Sequence, residues 1–262
     1  MQTSPEVVLI TGASSGIGLE LAKCFAADKA NLVLVARSRE ALEKLAAELR
    51  AAHGIDIRVL IADLARPEAP QKIFEELFAQ KIAVDVLVNN AGFGLHGEFA
   101  ELSLARQLEI IHVNITALTE LTGLFLPGML QRRRGGVLNV GSVAGFLPGP
   151  YMSVYYASKA FVLSFTEALA EETTGSGLKI SVLCPGPTTS NFGNVARGGK
   201  PRKVERPKMS AQIVAQTGHR GFRAGQVIVV PGLSNQLLTF APRITPRRLA
   251  RRIIKKYNRI QK

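Results

Sequence analysis

The stretch Thr11-Gly12-Ala13-Ser14-Ser15-Gly16-Ile17-Gly18 decides the fold of this 262-residue chain. It follows the apolar run 7–11 and opens an amphipathic stretch that continues to residue 27, so it predicts a strand, a tight turn and a helix. Glycines let the backbone approach a pyrophosphate, and the amino end of a helix presents free N–H groups to the same anion. The motif therefore predicts a phosphate-binding turn, although a tight turn without a ligand gives the same pattern.

Short apolar runs alternate with amphipathic stretches along the rest of the chain. The apolar runs predict strands at residues 7–11, 31–36, 57–61, 84–89, 136–141, 179–184 and 227–230. Helical periodicity predicts helices at residues 17–27, 39–52, 67–80, 104–132 (one long helix or two joined ones) and 154–172. Unbroken Val, Leu and Ile runs are typical of parallel strands covered on both faces. We therefore expect an α/β fold, a Rossmann-like doubly wound seven-stranded parallel sheet with helices on both faces.

Composition excludes several classes of protein. Apolar residues make up 47% of the chain and charged residues 20%, which are ordinary globular values and exclude global disorder. Cys24 and Cys184 are too far apart for a metal-ligand pair, and the four histidines lack zinc-binding spacing, so we expect no metal site. Residues 1–20 lack a basic start followed by an apolar block. We therefore read no signal peptide and expect a cytoplasmic location.

Further motifs follow the glycine-rich turn in a fixed order. They are Asp63-Leu64, Asn89-Asn90-Ala91-Gly92, Asn114, Ser142, Tyr155-x-x-x-Lys159 and Pro185-Gly186. With the TGxxxGxG spacing they resemble the short-chain dehydrogenase/reductase family over roughly residues 7–232. The resemblance implies a nicotinamide dinucleotide cofactor and the interconversion of a carbonyl and an alcohol.

Arg37 bears on the choice of cofactor. In a dinucleotide fold, an acidic residue at the end of the second strand binds the ribose 2′-hydroxyl of NAD. This sequence places Arg37 and Ser38 there, and a guanidinium can pair with a 2′-phosphate. The residues therefore favour NADP over NAD, although an ordinary surface arginine at a helix start gives the same pattern.

The resemblance implies the remaining cofactor contacts. Asp63 matches an adenine-contacting aspartate and can also cap its strand, and the backbone of Asn90, Ala91 and Gly92 would line the ribose. Ser190 stands where relatives often place a threonine that contacts the nicotinamide amide, and Thr188 is the other candidate. The expected cofactor-binding residues are Gly12, Ser14, Ser15, Gly16, Ile17, Gly18, Arg37, Ser38, Asp63, Leu64, Asn90, Ala91, Gly92, Tyr155, Lys159, Pro185, Gly186, Thr188 and Ser190.

Tyr155 and Lys159 are four residues apart in a predicted helix, which places both side chains on one face. A free phenol has a pKa of about 10, and a nearby ammonium group is expected to lower it. Tyr155 can then act as a general acid or base on a carbonyl or alcohol oxygen. The resemblance implies that Ser142 hydrogen-bonds the substrate oxygen and that Lys159 reaches the nicotinamide ribose. It also implies that Asn114 holds a water linking Lys159 to solvent.

Two segments, residues 143–152 and 185–208, are expected to contact the substrate. Apolar side chains in or near the first segment favour an apolar ketone or alcohol: Phe93, Leu95, Phe146, Leu147, Pro148 and Tyr151. The second segment carries six cations: Arg197, Lys200, Arg202, Lys203, Arg206 and Lys208. These cations leave open an anionic substrate, such as an acyl group on an acidic carrier protein, as well as simple solvated charge.

The basic character of the chain belongs to its last quarter. Residues 197–262 carry a net charge of +16, against −3 for residues 1–196. We expect a single dinucleotide-binding and catalytic domain over residues 1–242 and a basic amphipathic helix over 243–262. Thr245 is expected to cap this helix, with Pro246 in its first turn.

One apolar stripe runs along the predicted basic helix: Leu249, Ala250, Ile253, Tyr257 and Ile260. The stripe can dock on the protein or on a second subunit, which would leave the charge solvated. Alternatively the helix can lie on an anionic membrane, peripheral to it. Nucleic-acid binding is a third use of the charge, but no interleaved aromatic residues support it.

Together these features predict an NADP(H)-dependent oxidoreductase that interconverts a ketone and a secondary alcohol. A small-molecule substrate and, by resemblance, a homodimer or homotetramer are the expected partners. A nucleotide-sugar epimerase or dehydratase shares the Tyr/Lys pair, but the TGxxxGxG spacing and the short chain disfavour it. A cofactor-sensing or membrane-associated regulatory protein can keep the fold, but the intact set Asn114, Ser142, Tyr155 and Lys159 disfavours it.

Overall fold

The computed structural model describes residues 4–190, 192–196 and 208–259. Its nine strands are β1 (Val7–Thr11), β2 (Asn31–Ala36), β3 (Ile57–Ile61), β4 (Val86–Asn89), β5 (Gly136–Val140), β6 (Lys179–Leu183), β7 (Thr188–Thr189), β8 (Met209–Ser210) and β9 (Ile228–Val229). Seven of them form one parallel sheet in the order β3-β2-β1-β4-β5-β6-β9. This confirms the predicted seven-stranded parallel sheet. The short strands β7 and β8 form a separate parallel pair.

Ten α-helices connect and flank the strands in the described residues. They are α1 (Gly16–Ala27), α2 (Arg39–His53), α3 (Ala69–Ala79), α4 (Leu104–Ile111), α5 (Ala117–Arg132), α6 (Ser153–Glu172), α7 (Phe192–Ala196), α8 (Ala211–Arg223), α9 (Leu233–Ile244) and α10 (Arg247–Asn258). A turn of π-helix, His112–Thr116, joins α4 to α5, and a 3₁₀ turn, Val143–Phe146, precedes α6.

The buried residues of β1 divide between the two faces of the sheet, as the two-residue period of a strand requires. Val8 and Ile10 pack in one core cluster with residues of α1, α2 and α8. Leu9 packs in the other, with residues of α3, α5 and α6. The sheet is therefore covered on both sides, as the unbroken apolar runs predicted.

The strand order reverses beside β1, because β2 lies on one side of it and β4 on the other. In open parallel sheets of this kind, ligands bind outside the carboxyl ends of the strands at such a switch point. The glycine-rich turn follows β1, and residues 90–92 follow β4. The fold thus brings the two predicted cofactor segments to one crevice.

The predicted helix 104–132 is the pair α4 and α5, joined by the π-turn into 29 residues that are long and apolar enough to cross a membrane. In this fold α5 instead covers the sheet, where Leu121, Phe125 and Met129 are buried in the second core cluster. Burial of these side chains against the sheet accounts for much of the apolar character of this helix.

The carboxyl-terminal quarter differs most from the sequence prediction. The helices α8 and α9 were not predicted, and α9 continues to Ile244, across the expected boundary at residue 242. Thr245 does not cap the last helix, because its Oγ1 donates to the carbonyl oxygen of Ala241 at 2.8 Å and Pro246 occupies the cap position.

The last helix, α10, docks through a different stripe from the predicted one. Ala250, Ile254 and Asn258 are buried, whereas Leu249 and Ile253 are about half exposed. Tyr257 is exposed as well, and Ile260 lies outside the described residues. Of the described residues in the expected stripe, only Ala250 is buried. Helical periodicity does not encode which side of a helix meets the protein.

Candidate active site

The glycine-rich turn is locked to the segment after β4 by side-chain hydrogen bonds. Thr11 Oγ1 accepts from the backbone N–H groups of Asn90 and Ala91, both at 3.0 Å. Asn90 Nδ2 donates to the carbonyl oxygens of Thr11 and Gly12, at 2.9 and 3.1 Å. A Cβ atom at Gly18 would lie 2.4 Å from both Asn90 Nδ2 and the Gly12 oxygen, so the close approach requires glycine.

The amino end of α1 is open to an anion. Ser15 stands at its cap position, yet no side chain caps the helix and its first turn holds no acidic residue. Gly16 has a φ of +58°, a left-handed conformation that favours glycine. The free N–H groups and the helix dipole at this point fit a dinucleotide pyrophosphate. Ser14 and Ile17 belong to the same partly buried turn.

Arg37 and Asp63 lie at neighbouring strand ends. Ala36, the last residue of β2, pairs with Ile61, the last residue of β3. Arg37 is exposed just beyond β2, where its guanidinium can reach a ligand at the carboxyl edge. Asp63 Oδ1 accepts from the N–H of Ala65 at 3.1 Å. This hydrogen bond is the strand-end cap, one of the two roles that the sequence analysis gave Asp63; the other is an adenine contact.

Ser38 and Leu64 have structural partners at the same edge. Ser38 caps α2, because its Oγ accepts from the N–H of Ala41 at 3.4 Å. The side chain of Leu64 is buried in the second core cluster. Both residues therefore have structural roles that do not depend on a bound cofactor.

Lys159 lies deep beside the crevice, 5% exposed. Its Nζ donates to the carbonyl oxygen of Val140 at 2.7 Å and lies 5.9 Å from the centre of the Tyr155 ring. A Cβ atom at Gly92 would lie 3.5 Å from Lys159 Nζ and 3.0 Å from Asn114 Oδ1. The structure thus brings Tyr155, Lys159 and Asn114 together around the small space that Gly92 leaves.

The π-turn positions Asn114. Its Oδ1 accepts from the Phe93 N–H at 3.1 Å, and its Nδ2 donates to the Phe93 carbonyl oxygen and to Ser158 Oγ, both at 3.0 Å. Three hydrogen bonds fix the amide, so Asn114 fastens the segment after β4 to α6. Its Oδ1 keeps a second lone pair on the Gly92 side.

Ser142 lies two residues after β5, buried at the start of the 3₁₀ turn. Its Oγ accepts from the N–H of Ala144 at 3.1 Å and lies 3.4 Å from the carbonyl oxygen of Pro185. The Ser142 side chain also acts to lower the pKa of the Tyr155 phenol. Both hydroxyls can therefore address one substrate oxygen.

Burial dominates the ionisation of the pair. It raises the pKa of Tyr155 to about 12, although the Ser142 side chain acts to lower that pKa. It lowers the pKa of Lys159 to about 8. The pKa of Tyr155 is therefore raised, contrary to the expectation that it is lowered, because the loss of solvent is the largest influence on the phenol. At neutral pH Tyr155 carries its proton and Lys159 remains predominantly charged.

The segment after β6 reaches back to the glycine-rich turn. A Cβ atom at Gly16 would lie 3.3 Å from Ser190 Cβ, so Ser190 lies beside the turn. Thr188 Oγ1 donates to the carbonyl oxygen of Gly186 at 2.9 Å, and Pro185 is buried. Of the two hydroxyls that the sequence offered, Ser190 stands nearer to the glycine-rich turn.

A small pocket beside Tyr155 has a mainly apolar lining. Met152, from the first segment expected to contact the substrate, and Leu95, expected near it, line the pocket together with Leu102, Gln107, Ile110, Ser153 and Val154. Phe146, also expected there, packs instead against the core cluster of α6 and β6. Phe93 likewise packs on the second core cluster. The cations Arg197, Lys200, Arg202, Lys203 and Arg206 lie outside the described residues.

Several site residues escaped the sequence prediction. Phe192 packs its ring against Tyr155, with ring centres 5.1 Å apart. Beneath the site, Asn89 Nδ2 donates to Asn139 Oδ1 at 3.0 Å, and Asn139 Nδ2 donates to Thr166 Oγ1 at 2.9 Å. Polar residues inside otherwise apolar strands were the available signal for this buried amide chain.

Comparisons with known proteins agree with this geometry. The short chain dehydrogenase family model matches residues 6–199. The ketoacyl reductase HetN of Nostoc sp. is 39% identical over 183 residues, which cover 69% of this chain and 63% of HetN. The match therefore spans less than two thirds of that relative.

Two solved structures share the fold over nearly the whole chain. A short-chain dehydrogenase from Sphingobium yanoikuyae in complex with NADPH is 34% identical, with a TM-score of 0.82, and 91% of this chain and 94% of that chain are covered. A bulky-bulky ketone specific alcohol dehydrogenase from Comamonas testosteroni is 28% identical, with a TM-score of 0.78 and coverage of 99% and 96%. Since the family model takes in both the glycine-rich turn and the Tyr155–Lys159 pair, this chain belongs to the short-chain dehydrogenase/reductase family.

Proposed function

We propose that this protein is an NADP(H)-dependent oxidoreductase that interconverts a ketone and a secondary alcohol. The observation that carries the proposal is the position of Tyr155 beside the buried Lys159, whose Nζ lies 5.9 Å from the centre of the Tyr155 ring. A bound nicotinamide would supply or accept the hydride. The chain itself supplies the proton and the position of the substrate.

The ionisation of the pair supports the reductive direction. Because burial raises the pKa of Tyr155 to about 12, the phenol keeps its proton at neutral pH and can donate it to a carbonyl oxygen. Ser142 can hold the same oxygen. In the oxidative direction Tyr155 must first lose its proton, so alcohol oxidation should accelerate as the pH rises.

Arg37 supports NADP over NAD. Its exposed guanidinium follows β2, the strand whose end receives the adenosine ribose in dinucleotide folds. A dianionic 2′-phosphate there would gain a charge-assisted hydrogen bond from arginine. The NADPH complex of the Sphingobium yanoikuyae relative is consistent with this choice.

The apolar side chains beside Tyr155 support an apolar ketone as the substrate. The cavity between them is only about 10 Å³, room for about one water, so a ketone would have to displace some of these side chains. Leu95, Leu102, Ile110 and Met152 supply most of its lining. The polar lining residue Gln107 donates from Nε2 to the carbonyl oxygens of Phe99 and Leu102, so its amide nitrogen already has partners in the loop. The bulky ketone named for the Comamonas testosteroni enzyme belongs to the same substrate class.

We also infer a cytoplasmic homodimer or homotetramer, with any membrane contact peripheral. Exposed apolar residues on α4 support self-association, because Leu104, Leu108 and Ile111 fall on one side of the helix and are 64%, 54% and 40% exposed. Analytical ultracentrifugation of the purified chain would test this part of the proposal.

The activity is tested with a panel of aliphatic and aromatic ketones and alcohols, assayed with NADPH and NADH by the absorbance of the reduced nicotinamide. Ketone reduction with NADPH is the expected result. Tyr155→Phe should reduce turnover at least about a hundredfold, the low end for the loss of a general acid, while NADPH affinity stays within about twofold. Unchanged turnover in Tyr155→Phe would refute the role of the phenol.

A further inference from the structure

The helix α10 presents two rows of side chains, and only one of them meets the protein. The inner row, Ala250, Ile254 and Asn258, is 6–7% exposed. The outer row includes Leu249 and Ile253, which are 50% and 53% exposed. Docking on the protein therefore accounts for the inner row and leaves the outer row in solvent.

Six cations cover much of the remaining surface of α10. All of them are exposed: Arg247, Arg248, Arg251, Arg252, Lys255 and Lys256. The helix contains no acidic residue, and within the described part of the chain none of these cations forms an ion pair with a carboxylate. The positive charge of this surface is therefore unneutralised.

The inner row, the outer row and the cations occupy successive sectors around the helix axis. At about 100° per residue, Arg252 and Lys256 border the outer apolar row on the side away from the protein. An exposed apolar row bordered by basic residues is the pattern of a helix that lies in the interface of an anionic membrane. Apolar side chains enter the acyl boundary and basic groups meet lipid phosphates.

We propose that the outer face of α10 docks this protein on an anionic lipid bilayer. A second copy of the chain fits the face poorly, because a two-fold contact would bring six cations against six cations with no acid on either helix. Nucleic acid would use the cations and leave the apolar row without a role. Anionic lipid satisfies both.

The preceding helix α9 adds to the apolar surface. Leu233, Leu237 and Phe240 follow an i, i+4, i+7 spacing, which places them on one face. They are 79%, 71% and 55% exposed. Two consecutive helices thus carry exposed apolar rows, which is more apolar surface than scattered exposed residues require.

The inner row connects α10 to the active site. Asn258 Nδ2 donates to the carbonyl oxygen of Pro150 at 3.1 Å and to the Tyr156 hydroxyl at 3.2 Å. The Asn258 carbonyl oxygen accepts from His96 Nε2 at 2.8 Å. The helix therefore holds both loops that border Tyr155. If the proposed function holds, a membrane-dissolved ketone would reach the site beside this lipid surface.

The test measures binding of the purified chain to vesicles without substrate or cofactor. Vesicles of phosphatidylcholine alone are compared with vesicles of phosphatidylcholine and phosphatidylglycerol by co-sedimentation. Binding to the anionic vesicles should be at least about tenfold stronger and should weaken as salt is raised. Arg252→Gln/Lys256→Gln should lower it by about tenfold or more, since each basic residue near such a surface contributes about fivefold.

A second variant tests the apolar row, and each variant has a matched control. Leu249→Gln/Ile253→Gln should lower binding by at least about tenfold, because its side chains no longer enter the acyl boundary. Lys44→Gln/Arg58→Gln removes two exposed cations near the opposite edge of the sheet, and Phe78→Gln removes a phenylalanine that is 75% exposed on α3. Both controls should bind like the parent chain.

Three results would overturn the proposal. The first is no binding to either kind of vesicle. The second is binding that survives in Leu249→Gln/Ile253→Gln while double-stranded DNA competes for it, which would indicate a polyanion site. The third is a loss of oligomer mass in that variant, which would show a second copy on the face. Vesicle binding without any ketone reduction would refute the proposed function and leave the lipid surface in place.

Discussion

The cofactor side of the crevice (residues 7–186) and the carboxyl-terminal side (the described residues from 187 to 259) border one site but are held in different ways. On the cofactor side, Asn90 and Thr11 hydrogen-bond directly to main-chain groups, and Gly12 and Gly18 leave no space for a Cβ atom. On the carboxyl-terminal side, single side chains such as Asn258 fasten whole helices to loops.

This difference teaches where substitutions should be costly. Backbone built against backbone cannot absorb even one added carbon without movement of the chain. A helix fastened by one amide can shift and keep most of its contacts. We therefore expect large effects on cofactor binding from the first region and graded effects on substrate binding from the second.

The largest effect should come from Gly18→Ala. The added Cβ would lie 2.4 Å from the Gly12 carbonyl oxygen, so the turn must open and the pyrophosphate site must widen. NADPH affinity should fall by about a hundredfold, about 2.7 kcal/mol, as measured by fluorescence titration. In Gly123→Ala the new carbon meets nothing within 4 Å, so this control should bind NADPH normally. Normal binding by Gly18→Ala would remove the contrast between the two regions.

The next effect should come from Arg37→Asp, which tests the outer rim of the cofactor side. The variant loses the charge-assisted hydrogen bonds from Arg37 to the 2′-phosphate of NADPH and gains a carboxylate that can accept from the ribose 2′-hydroxyl of NADH. The NADPH-to-NADH ratio of kcat/KM should therefore fall by roughly tenfold to a hundredfold. Arg39→Asp, an equal charge change at the exposed start of α2, is the matched control. An equal shift in both variants would show a general charge effect rather than recognition of the 2′-phosphate.

Lys159→Met should change how stability depends on pH. Burial holds the pKa of Lys159 at about 8 in the folded protein, below its unfolded value. The buried charge therefore destabilises the fold below pH about 8, and that cost disappears as the pH rises toward about 10.5. The difference in free energy of unfolding between Lys159→Met and the parent should shift by roughly 1–3 kcal/mol in favour of the parent across this window, measured by urea unfolding. A constant difference would contradict the lowered pKa.

The smallest effect should come from Asn258→Ala on the carboxyl-terminal side. Loss of two hydrogen bonds to Pro150 and Tyr156 should loosen the substrate loops and raise the KM for a ketone about three- to tenfold. The KM for NADPH should change less than about twofold. Arg259→Ala, at the exposed neighbouring position, is the control. A rise in the NADPH KM would show that the two sides are not independent.

The sequence predicted the cofactor side closely because local signals agree there. Most strands are apolar runs, the glycine-rich turn lies between a strand and a helix, and Tyr155 and Lys159 share a helix face. The bounds of β1, β2 and β3 match the predicted strands to the residue. The pKa of Tyr155 could not be read this way, since it depends on burial by segments distant in the sequence.

The carboxyl-terminal side was harder to predict because its elements depend on tertiary contacts. In α8, Val214, Ala215 and Phe222 pack against α1, but polar and glycine residues weaken the helical pattern between them. Arg223 fastens the same helix by donating to Glu6 and Asp28 at 2.6–2.9 Å. An ion pair across more than 190 residues leaves no local trace in the sequence.

The π-turn at His112–Thr116 also has a consequence for insertions and deletions. It holds one residue more than a regular helical turn would need, and that surplus residue sets the phase between α4 and α5. Removing a single residue there would repair the helix into an unbroken rod while rotating Asn114 away from Phe93 and Ser158. A more regular helix would in this case make a poorer enzyme.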